Sequence, residues 1–349
     1  MAQIDKPSLH FNTVLYNGNS STQSITGVGF QPDFVWGKAR SGTDAVYNHQ
    51  LFDVIRGATK HLRSNNNSVE GTLANSLTSF DSDGFSLGND GHMNLNGNAN
   101  VAWNWKAGGA GSSNTDGSVT STVSVNSTAG FSISKYTGTG SNLTFGHGLG
   151  AIPDWFMIKN LTVDQAWRVY HQRVTASDPY SKRLVLSENG ADSSSTLGLS
   201  QDPSSSLIYI DNSTGCTNAN NENFICYAWI EKKGFSKFGS YTGNGNTDGT
   251  FVYTGFKPAW LMTKVQNAAD NWAIWDNKRE PTNVNDNILR ADTNAAETPN
   301  AAYQIDFLSN GFKFRGTDTK INGNGSPYIY MAFAENPIVG SNNIPATAR

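Results

Sequence analysis

The hexapeptide GFQPDF at residues 29–34 returns as GAIPDW at residues 150–155 and as GFKPAW at residues 255–260. A lysine lies six positions after the proline in every copy: Lys38, Lys159 and Lys264. Recurrence of one motif along a chain is the signature of a repeat architecture, and it decides the fold class before any single residue does. The chain is therefore predicted to contain three versions of one module.

The similarity extends to both sides of the hexapeptide. A turn with a tyrosine precedes each copy, at residues 16–19, 136–139 and 241–244, and an apolar strand closes each copy, at residues 101–103, 227–229 and 331–333. Between them we align Val46-Tyr47-Asn48, Val169-Tyr170-His171 and Ile274-Trp275-Asp276. Each module has roughly 100 residues, which is enough to bury its own core.

These limits divide the 349 residues into six predicted segments. They are an N-terminal arm (1–10), repeat 1 (11–106), a linker with an added strand (107–130), repeat 2 (131–233), repeat 3 (234–338) and a C-terminal arm (339–349). The small residues at 107–114 predict a flexible linker, and the alternation at 118–125 predicts its strand. Because repeats 2 and 3 follow each other directly, we expect them to pack closely and repeat 1 to be more independent.

Strands and turns are predicted almost throughout. Apolar segments of four to eight residues alternate with clusters of Asn, Ser, Thr, Asp and Gly, including Asn-Gly or Asp-Gly pairs at 17–18, 83–84 and 310–311. Such pairs supply hairpin turns, and short strands at this spacing are typical of sandwiches. One helical turn is considered, at residues 51–55. The predicted fold class is all-β, with three tandem antiparallel β-sandwich repeats of jelly-roll or lectin-like type.

Composition excludes several classes of function. Charged residues are 15% of the chain and the net charge is −3, so there is no basic footprint for nucleic acid. The apolar runs have strand length, so no membrane insertion is expected. The N-terminal residues lack the pattern of a signal peptide, so we expect synthesis in a cytoplasm. Of the two cysteines, Cys226 is predicted to be a buried small hydrophobe, and a disulfide with Cys216 is left open.

The layout of the repeats resembles that of repeated domains in virion proteins of tailed bacteriophages. The resemblance lies in residues 241–245 (YTGNG), 255–264, 272–279 and 330–335 (YMAFAE), and it covers residues 11 to 338. Repeat 1 departs from it at Gly37, and repeat 2 lacks the Gly-Phe turn. Proteins of this kind are described as tail or structural proteins, some of them as lectin-like sandwiches. The resemblance implies a virion component and carries over no catalytic residue.

The recurring side chains are interpreted as structural. Each lysine is predicted to lie at a sheet edge with its stem along the sheet and its amine paired with a carboxylate or carbonyl, and a ligand-binding lysine row is the alternative. Asn48, His171 and Asp276 differ chemically at one predicted position, so we expect a turn residue there and not a catalytic base. The recurring tryptophans are predicted to fill cores, with sugar stacking as the alternative: Trp103, Trp155, Trp167, Trp229, Trp260 and Trp272.

No residue is predicted to be catalytic, to bind a cofactor or to ligate a metal. Paired carboxylates for glycoside cleavage are considered among Asp81, Asp83, Asp286, Asp292 and Asp306, but Asp before Gly is ordinarily a turn residue. The acidic loops lack the regular spacing of a calcium site. His49, His61, His92, His147 and His171 form no ligand motif.

We therefore expect a bacteriophage virion structural protein that is not an enzyme, made in the host cytoplasm and located in the virion. A tail-associated fibre or tip subunit that engages the host surface is favoured, a capsid head decoration protein is the alternative, and a polysaccharide-degrading tailspike is the second alternative. The expected partners are other virion proteins, further copies in a symmetric assembly and a host surface glycan. A binding site is expected in loops that the repeats do not share: 41–50, 161–182 and 265–287.

Overall fold

A computed structural model describes residues 3–42, 46–194 and 197–340. It confirms the all-β prediction, because antiparallel sheets account for nearly all regular structure. The elements of repeat 1 are β1 (Phe11–Asn17), β2 (Gln23–Ile25), β3 (Phe34–Ser41), β4 (Gln50–Asp53), β5 (Lys60–His61), β6 (Gly71–Thr72), β7 (Leu77–Asp81), β8 (Gly84–Leu87), α1 (Gly91–Asn94) and β9 (Ala99–Trp105).

The linker contains β10 (Ser112–Asn114) and β11 (Ser121–Asn126). Repeat 2 consists of β12 (Phe131–Thr137), β13 (Leu143–Gly146), β14 (Trp155–Asn160), β15 (Arg168–His171), β16 (Leu184–Val185), β17 (Leu207–Ile210), α2 (Gly215–Asn218) and β18 (Asn223–Trp229). Repeat 3 consists of β19 (Ser236–Thr242), β20 (Phe251–Tyr253), β21 (Phe256–Val265), β22 (Ala273–Asp276), β23 (Asn287–Arg290), β24 (Thr298–Pro299), β25 (Ile305–Leu308), β26 (Gly311–Phe314), α3 (Thr319–Asn322) and β27 (Pro327–Pro337). Single 3₁₀ turns occur at Pro7–Leu9, Pro179–Ser181 and Ala301–Tyr303. None of the described helices has the length and apolar composition needed to span a bilayer.

Three large sheets contain the same succession of strands. The orders are β1-β9-β3-β4 in the first, β12-β18-β14-β15 within the second and β19-β27-β21-β22 within the third. The linker strands β10 and β11 extend the second sheet beside β12. Three smaller sheets, β2-β8-β7, β13-β17 and β20-β26-β25, each share an apolar cluster with the large sheet of their own repeat.

The opposite faces of the large sheets share one further core. This cluster contains buried side chains of all three repeats, among them Phe34, Tyr227 and Phe333. The rings of Phe34 and Tyr227 are 4.5 Å apart, and those of Phe11 and Phe333 are 5.0 Å apart. The expectation that repeat 1 is more independent is therefore wrong, since repeat 1 packs against both other repeats.

The residues that recur in all three repeats position the strands. Gly29, Gly150 and Gly255 have φ values of 88°, 73° and 83°, which only glycine adopts without strain. The aromatic residue that ends each hexapeptide is buried in the shared core, and the six recurring tryptophans are buried as predicted. The tyrosine before each hexapeptide donates to the carbonyl of the residue before the last in the repeat's short helix: Tyr16 to Met93, Tyr136 to Thr217 and Tyr241 to Ile321.

The recurring lysines do not lie at sheet edges. Lys38, Lys159 and Lys264 are on the central strands β3, β14 and β21 and are fully buried. Their ammonium groups donate to backbone carbonyls, as when Lys159 Nζ bonds to Gln165 O at 2.8 Å and Asn67 O at 3.1 Å. The predicted carbonyl partners are correct, but the edge position is wrong, because β3, β14 and β21 each lie between two strands of their sheet. Lys159 and Lys264 also donate to carbonyls of the preceding repeat, Asn67 O and Asn189 O.

One predicted alignment is also wrong. Register places Asp53, and not Asn48, opposite the hexapeptide's aromatic residue: Phe34 faces Asp53, Trp155 faces His171 and Trp260 faces Asp276. The helical turn considered at residues 51–55 is absent, because β4 pairs with β3 up to Asp53.

The described parts of the predicted arms and linker are fixed. Ile4 N donates to Lys233 O at 3.1 Å, so residues near the N-terminus lie at the junction of repeats 2 and 3. Asp33 Oδ2 accepts the N–H groups of Ala107 and Gly109 in the linker. Residues 1–2 and 341–349 of the predicted arms lie outside the described residues.

Candidate functional site

A large opening lies between repeats 2 and 3. It is an open cleft of about 730 Å³, which we name the Arg173 cleft. One wall is the connection at residues 172–179, and the other is the end of β19 together with Gln266 and Pro327. Ile152 and the pair Asp202-Pro203 complete it. Two of the predicted binding loops, 161–182 and 265–287, thus meet at this cleft.

The length of one connection creates this wall. Strands β4, β15 and β22 end at Asp53, His171 and Asp276. The strands that follow them, β5, β16 and β23, start at Lys60, Leu184 and Asn287. The connections are residues 54–59, 172–183 and 277–286, so they have six, twelve and ten residues. In repeat 2 the chain turns at Asp178, whose φ of 50° is left-handed, into the 3₁₀ turn at Pro179–Ser181.

The floor of the Arg173 cleft is a hydrogen-bonded group around Asp202. Its Oδ1 accepts the hydroxyl of Tyr170 at 3.3 Å and the N–H of Tyr180 at 3.0 Å. Burial, assisted by the nearby Asp202 carboxylate, raises the pKa of Tyr170, so its phenol stays neutral and donates. This arrangement ties the connection to the Asp202 segment and holds the wall in place.

A neutral histidine lies under the cleft. His171 Nδ1 accepts the N–H of Arg173 at 2.9 Å, so the ring proton is on Nε2, which donates to Tyr330 O at 3.2 Å. Burial lowers the pKa of His171 to about 4. The same strand end therefore sets the direction of the cleft wall and joins repeat 2 to repeat 3.

The rim of the cleft carries the groups that face solvent. Arg173 and Asp178 are exposed, and hydroxyls of Thr175, Ser177 and Ser240 lie along the same opening. The guanidinium of Arg173 forms no ion pair within the part of the chain that the structure describes. The cleft therefore offers one cation, the carboxylates of Asp178 and Asp202, and several neutral hydrogen-bonding groups to a ligand.

A second cleft occupies the related place in repeat 3. It has about 350 Å³ and is lined by Lys257, Asn277, Asn285, Phe307 and the segment 280–283, and we name it the Lys257 cleft. Lys257 Nζ pairs with Glu335 at 2.8 Å. Its wall is the connection at 277–286, fixed by Glu280, whose Oε2 accepts the N–H groups of Asp286 and Asn287 at 2.7 Å each.

Three joints connect the repeats in a closed circle. At joint 1–2, Asp53 Oδ2 accepts the Tyr227 hydroxyl at 2.6 Å. At joint 2–3, His171 donates to Tyr330 O, and at joint 3–1, Asp276 Oδ2 accepts Trp103 Nε1 at 3.1 Å. A ring N–H strengthens each joint: Trp167 to Arg63 O, Trp272 to Val185 O and His49 to Arg290 O, at 2.8, 2.9 and 3.0 Å.

The acids at joints 1–2 and 3–1 form ion pairs with arginines of their own repeats. Arg56 Nε pairs with Asp53, and Arg279 Nε pairs with Asp276 at 2.6 Å, both fully buried. These joints use their ionisable groups to hold the repeats together. At joint 2–3 the corresponding residue is His171, and the group that faces it is the backbone carbonyl of Tyr330.

The other carboxylates considered for catalysis have separate structural partners. Asp83 accepts the N–H groups of Gly27 and Gly29, and Asp81 accepts the hydroxyls of Ser79 and Ser86. Asp306 pairs with Arg315 at 2.6 Å. Asp292 accepts the N–H of Trp272. Asp286 lies at the end of the 277–286 connection, where its N–H donates to Glu280.

Neither the histidines nor the cysteines assemble a site. Within the described ranges, no group of three His, Cys, Asp or Glu side chains could hold a metal ion. Cys216 and Cys226 are free and buried, and Cys226 is fully enclosed in strand β18, as predicted. The role of Asp53 at joint 1–2 was not predicted from the sequence. The spacing Asp-x-x-Arg, shared by residues 53–56 and 276–279, is the signal that could have identified Asp53 as the counterpart of Asp276.

Comparison with known proteins places almost the whole chain in one family. The profile of a family described as "Domain of unknown function (DUF7483)" matches residues 6–337. The chain belongs to this family. Among curated proteins, none matches the chain. In this DUF7483 protein, the matched range includes both clefts and all three joints.

Proposed function

We propose that this DUF7483 protein is a structural protein of a tailed-bacteriophage virion, made in the host cytoplasm, and that it engages the host surface without catalysis as a tail-associated subunit. In this proposal each repeat is a two-layer β-sandwich, and the three repeats form a closed ring. The resemblance to phage virion domains across residues 11–338 supports the virion assignment. Other virion proteins and further copies of the chain are the proposed partners.

The observation that carries the host-binding role is the Arg173 cleft. It is open, it is walled by a connection that is twelve residues long in repeat 2 and six in repeat 1, and its guanidinium has no ion pair among the described residues. In contrast, the acids and arginines at joints 1–2 and 3–1 are buried and paired with each other. Surface loops held by a rigid scaffold are the usual place for binding residues.

Two experiments test this function. Antibodies against the purified protein are expected to label the tail of particles produced by the phage that encodes it, and the purified protein is expected to bind host cells and to block infection. Arg173→Ala should weaken cell binding, whereas Lys106→Ala, which removes an exposed cation of repeat 1 outside the cleft, should leave it unchanged. Failure of the wild-type protein to bind cells at high concentration would sink the host-binding role.

Head decoration is the second candidate function, and the joints favour it. The same strand position contacts the next repeat three times, so one chain presents an approximately threefold arrangement that suits a threefold position in a capsid lattice. A virion density map decides between the two locations. A tailspike enzyme would instead release oligosaccharides in a reaction that Asp178→Asn in the cleft abolishes.

A further inference from the structure

We propose that the Arg173 cleft and the Lys257 cleft are two related binding sites for an oligosaccharide, and that repeat 1 has lost the corresponding site. The inference rests on the proposed engagement of a host surface and names the ligand class and the residues. It starts from the repeat itself, because the two clefts are built from corresponding positions of repeats 2 and 3.

The correspondence is residue by residue. The third residue of the hexapeptide lines each cleft, as Ile152 in one and Lys257 in the other. Gln172, the first residue after β15, lines the Arg173 cleft, and Asn277, the first residue after β22, lines the Lys257 cleft. In both repeats the wall then continues into the long connection that ends at β16 or β23.

Repeat 1 has a compact turn where the others have a wall. Its connection, residues 54–59, is closed around Arg56, whose Nη2 donates to Leu51 O at 2.9 Å and whose Nη1 donates to Lys60 O at 3.2 Å. Repeat 3 has the same arginine contacts through Arg279, but its connection adds residues that rise beside Lys257. The clefts therefore need the residues inserted into the connection in addition to the shared positions that line them.

The polar groups in both clefts suit a ligand with many hydroxyls. The Lys257 cleft is lined by Asn277 and Asn285, whose side-chain oxygens are buried and have no hydrogen-bond donor among the described residues. A buried acceptor without a donor costs free energy, which a ligand O–H would recover. The Arg173 cleft adds hydroxyls and a guanidinium that can donate to several ligand oxygens.

Apolar surface lies beside these polar groups. Ile152, Pro179 and Pro203 line the Arg173 cleft, and Pro281 and Phe307 line the Lys257 cleft. A sugar ring presents both C–H faces and hydroxyl edges, so this mixture fits an oligosaccharide. Two sites on one rigid body would also bind a repeating polysaccharide with avidity, because the second contact becomes intramolecular.

The test measures binding of the full-length protein to an array of purified bacterial lipopolysaccharides, capsular polysaccharides and teichoic acids. Arg173→Ala is expected to weaken binding to the polysaccharide hit about tenfold or more, as expected for loss of a hydrogen bond from a charged group. Asn277→Ala is expected to weaken it less, and the double variant more than either. Gln31→Ala alters the exposed third hexapeptide residue of repeat 1 and should bind like the wild type.

Thermal unfolding of every variant separates lost binding from lost folding, and Arg173 and Gln31 are exposed enough to be replaced without unfolding. The proposal is overturned if no polysaccharide binds, or if the cleft variants bind normally while Tyr253→Ala, on the exposed aromatic face of β20, does not. It is also overturned if the cleft binds an extended peptide instead. Tail labelling with a negative array would refute this ligand class and leave the proposed virion function standing.

Discussion

Joints 1–2 and 2–3 use the same strand position with opposite chemistry. At joint 1–2 a buried Asp53–Arg56 pair accepts the Tyr227 hydroxyl, whereas at joint 2–3 the neutral His171 donates to Tyr330 O. Tyr227 and Trp103 occupy the corresponding place in β18 and β9, and repeat 3 has Met331 there, whose side chain offers no N–H or O–H donor. The residue type at positions 53, 171 and 276 therefore matches the group that faces it in the next repeat: a carboxylate occurs where a side-chain donor faces it, and a histidine where a carbonyl does.

The largest expected effect comes from breaking the ionic joint. Arg56→Met leaves the Asp53 carboxylate buried without its cation, and we expect the free energy of unfolding to fall by about 3–5 kcal/mol. His171→Gln at joint 2–3 replaces one neutral hydrogen-bonding group by another and should cost less than about 1.5 kcal/mol. Urea denaturation at pH 7 measures both. Equal losses would contradict the distinction between the two joints.

Acid should sharpen the difference by loosening the neutral joint. Burial lowers the pKa of His171, and also those of His61 and His147, to about 4 in the folded state from an ordinary 6.5. Below pH 6.5 the unfolded chain then binds more protons, so stability is lost as the pH falls, by about 1.5 kcal/mol for a fully buried histidine such as His171 between pH 6.5 and 5. His171→Gln should remove one histidine's share of this loss.

Denaturation at pH 6.5, 6.0, 5.5 and 5.0 measures that share. Burial raises the pKa values of Asp33, Asp154 and Asp292, and these aspartates are present in both the wild type and His171→Gln, so the difference between the two pH profiles isolates the histidine. An unchanged pH profile in His171→Gln would show that the histidine is not held neutral at the joint.

The buried lysines test both joints from the alkaline side. Burial lowers the pKa of Lys159 at joint 1–2 and of Lys264 at joint 2–3 to about 8, from an ordinary 10.5. Between pH 8 and 10 each of these lysines binds more protons in the unfolded chain, so each contributes stability that rises with pH. Burial raises the pKa of Cys226 and of tyrosines such as Tyr136, which contribute a loss of stability over the same range, so the lysine contribution is measured as a difference from a variant. Lys159→Met should remove a rise of about 1–2 kcal/mol over the range. Equilibrium denaturation of the wild type and of Lys159→Met at pH 8, 9 and 10 decides, and parallel pH profiles of the two proteins would refute the lowered pKa of Lys159.

The smallest expected effect is the loss of one ring N–H. Trp167→Phe removes the hydrogen bond from Trp167 Nε1 to Arg63 O and leaves that carbonyl without this donor. The free energy of unfolding should therefore fall by about 1 kcal/mol more than the smaller side chain alone would cause. Trp155→Phe is the matched control, since Trp155 is equally buried and its Nε1 has no hydrogen-bond partner among the described residues. If the two variants lose the same stability, the ring N–H does not strengthen joint 1–2.

Much of the fold could be predicted from local pattern. The hexapeptide, the turn glycines and the recurring tryptophans predicted repeats, strands and buried aromatic positions, because these features depend on neighbours in the chain. Closure of the three repeats around one core was missed, since pairs such as Phe11 and Phe333 leave no local signal. Similar letters at 46–48 also hid the true counterpart, Asp53, which only strand register identifies.

The candidate site was predictable in place but not in shape. Loops 161–182 and 265–287 were singled out because the repeats do not share them, and residues from both line the Arg173 cleft. Their meeting depends on how repeat 2 packs against repeat 3, which the sequence pattern does not encode. Of the third loop, 41–50, residues 43–45 lie outside the described part of the chain.

The claim that three repeats form one closed body is tested most directly by calorimetry of the full-length protein. If the shared core and the three joints couple the repeats, unfolding gives a single transition whose calorimetric and van't Hoff enthalpies agree. Arg56→Met should then shift the whole transition to lower temperature. Two or three separate transitions, with only one of them moved by Arg56→Met, would show that the repeats fold independently and would contradict the account.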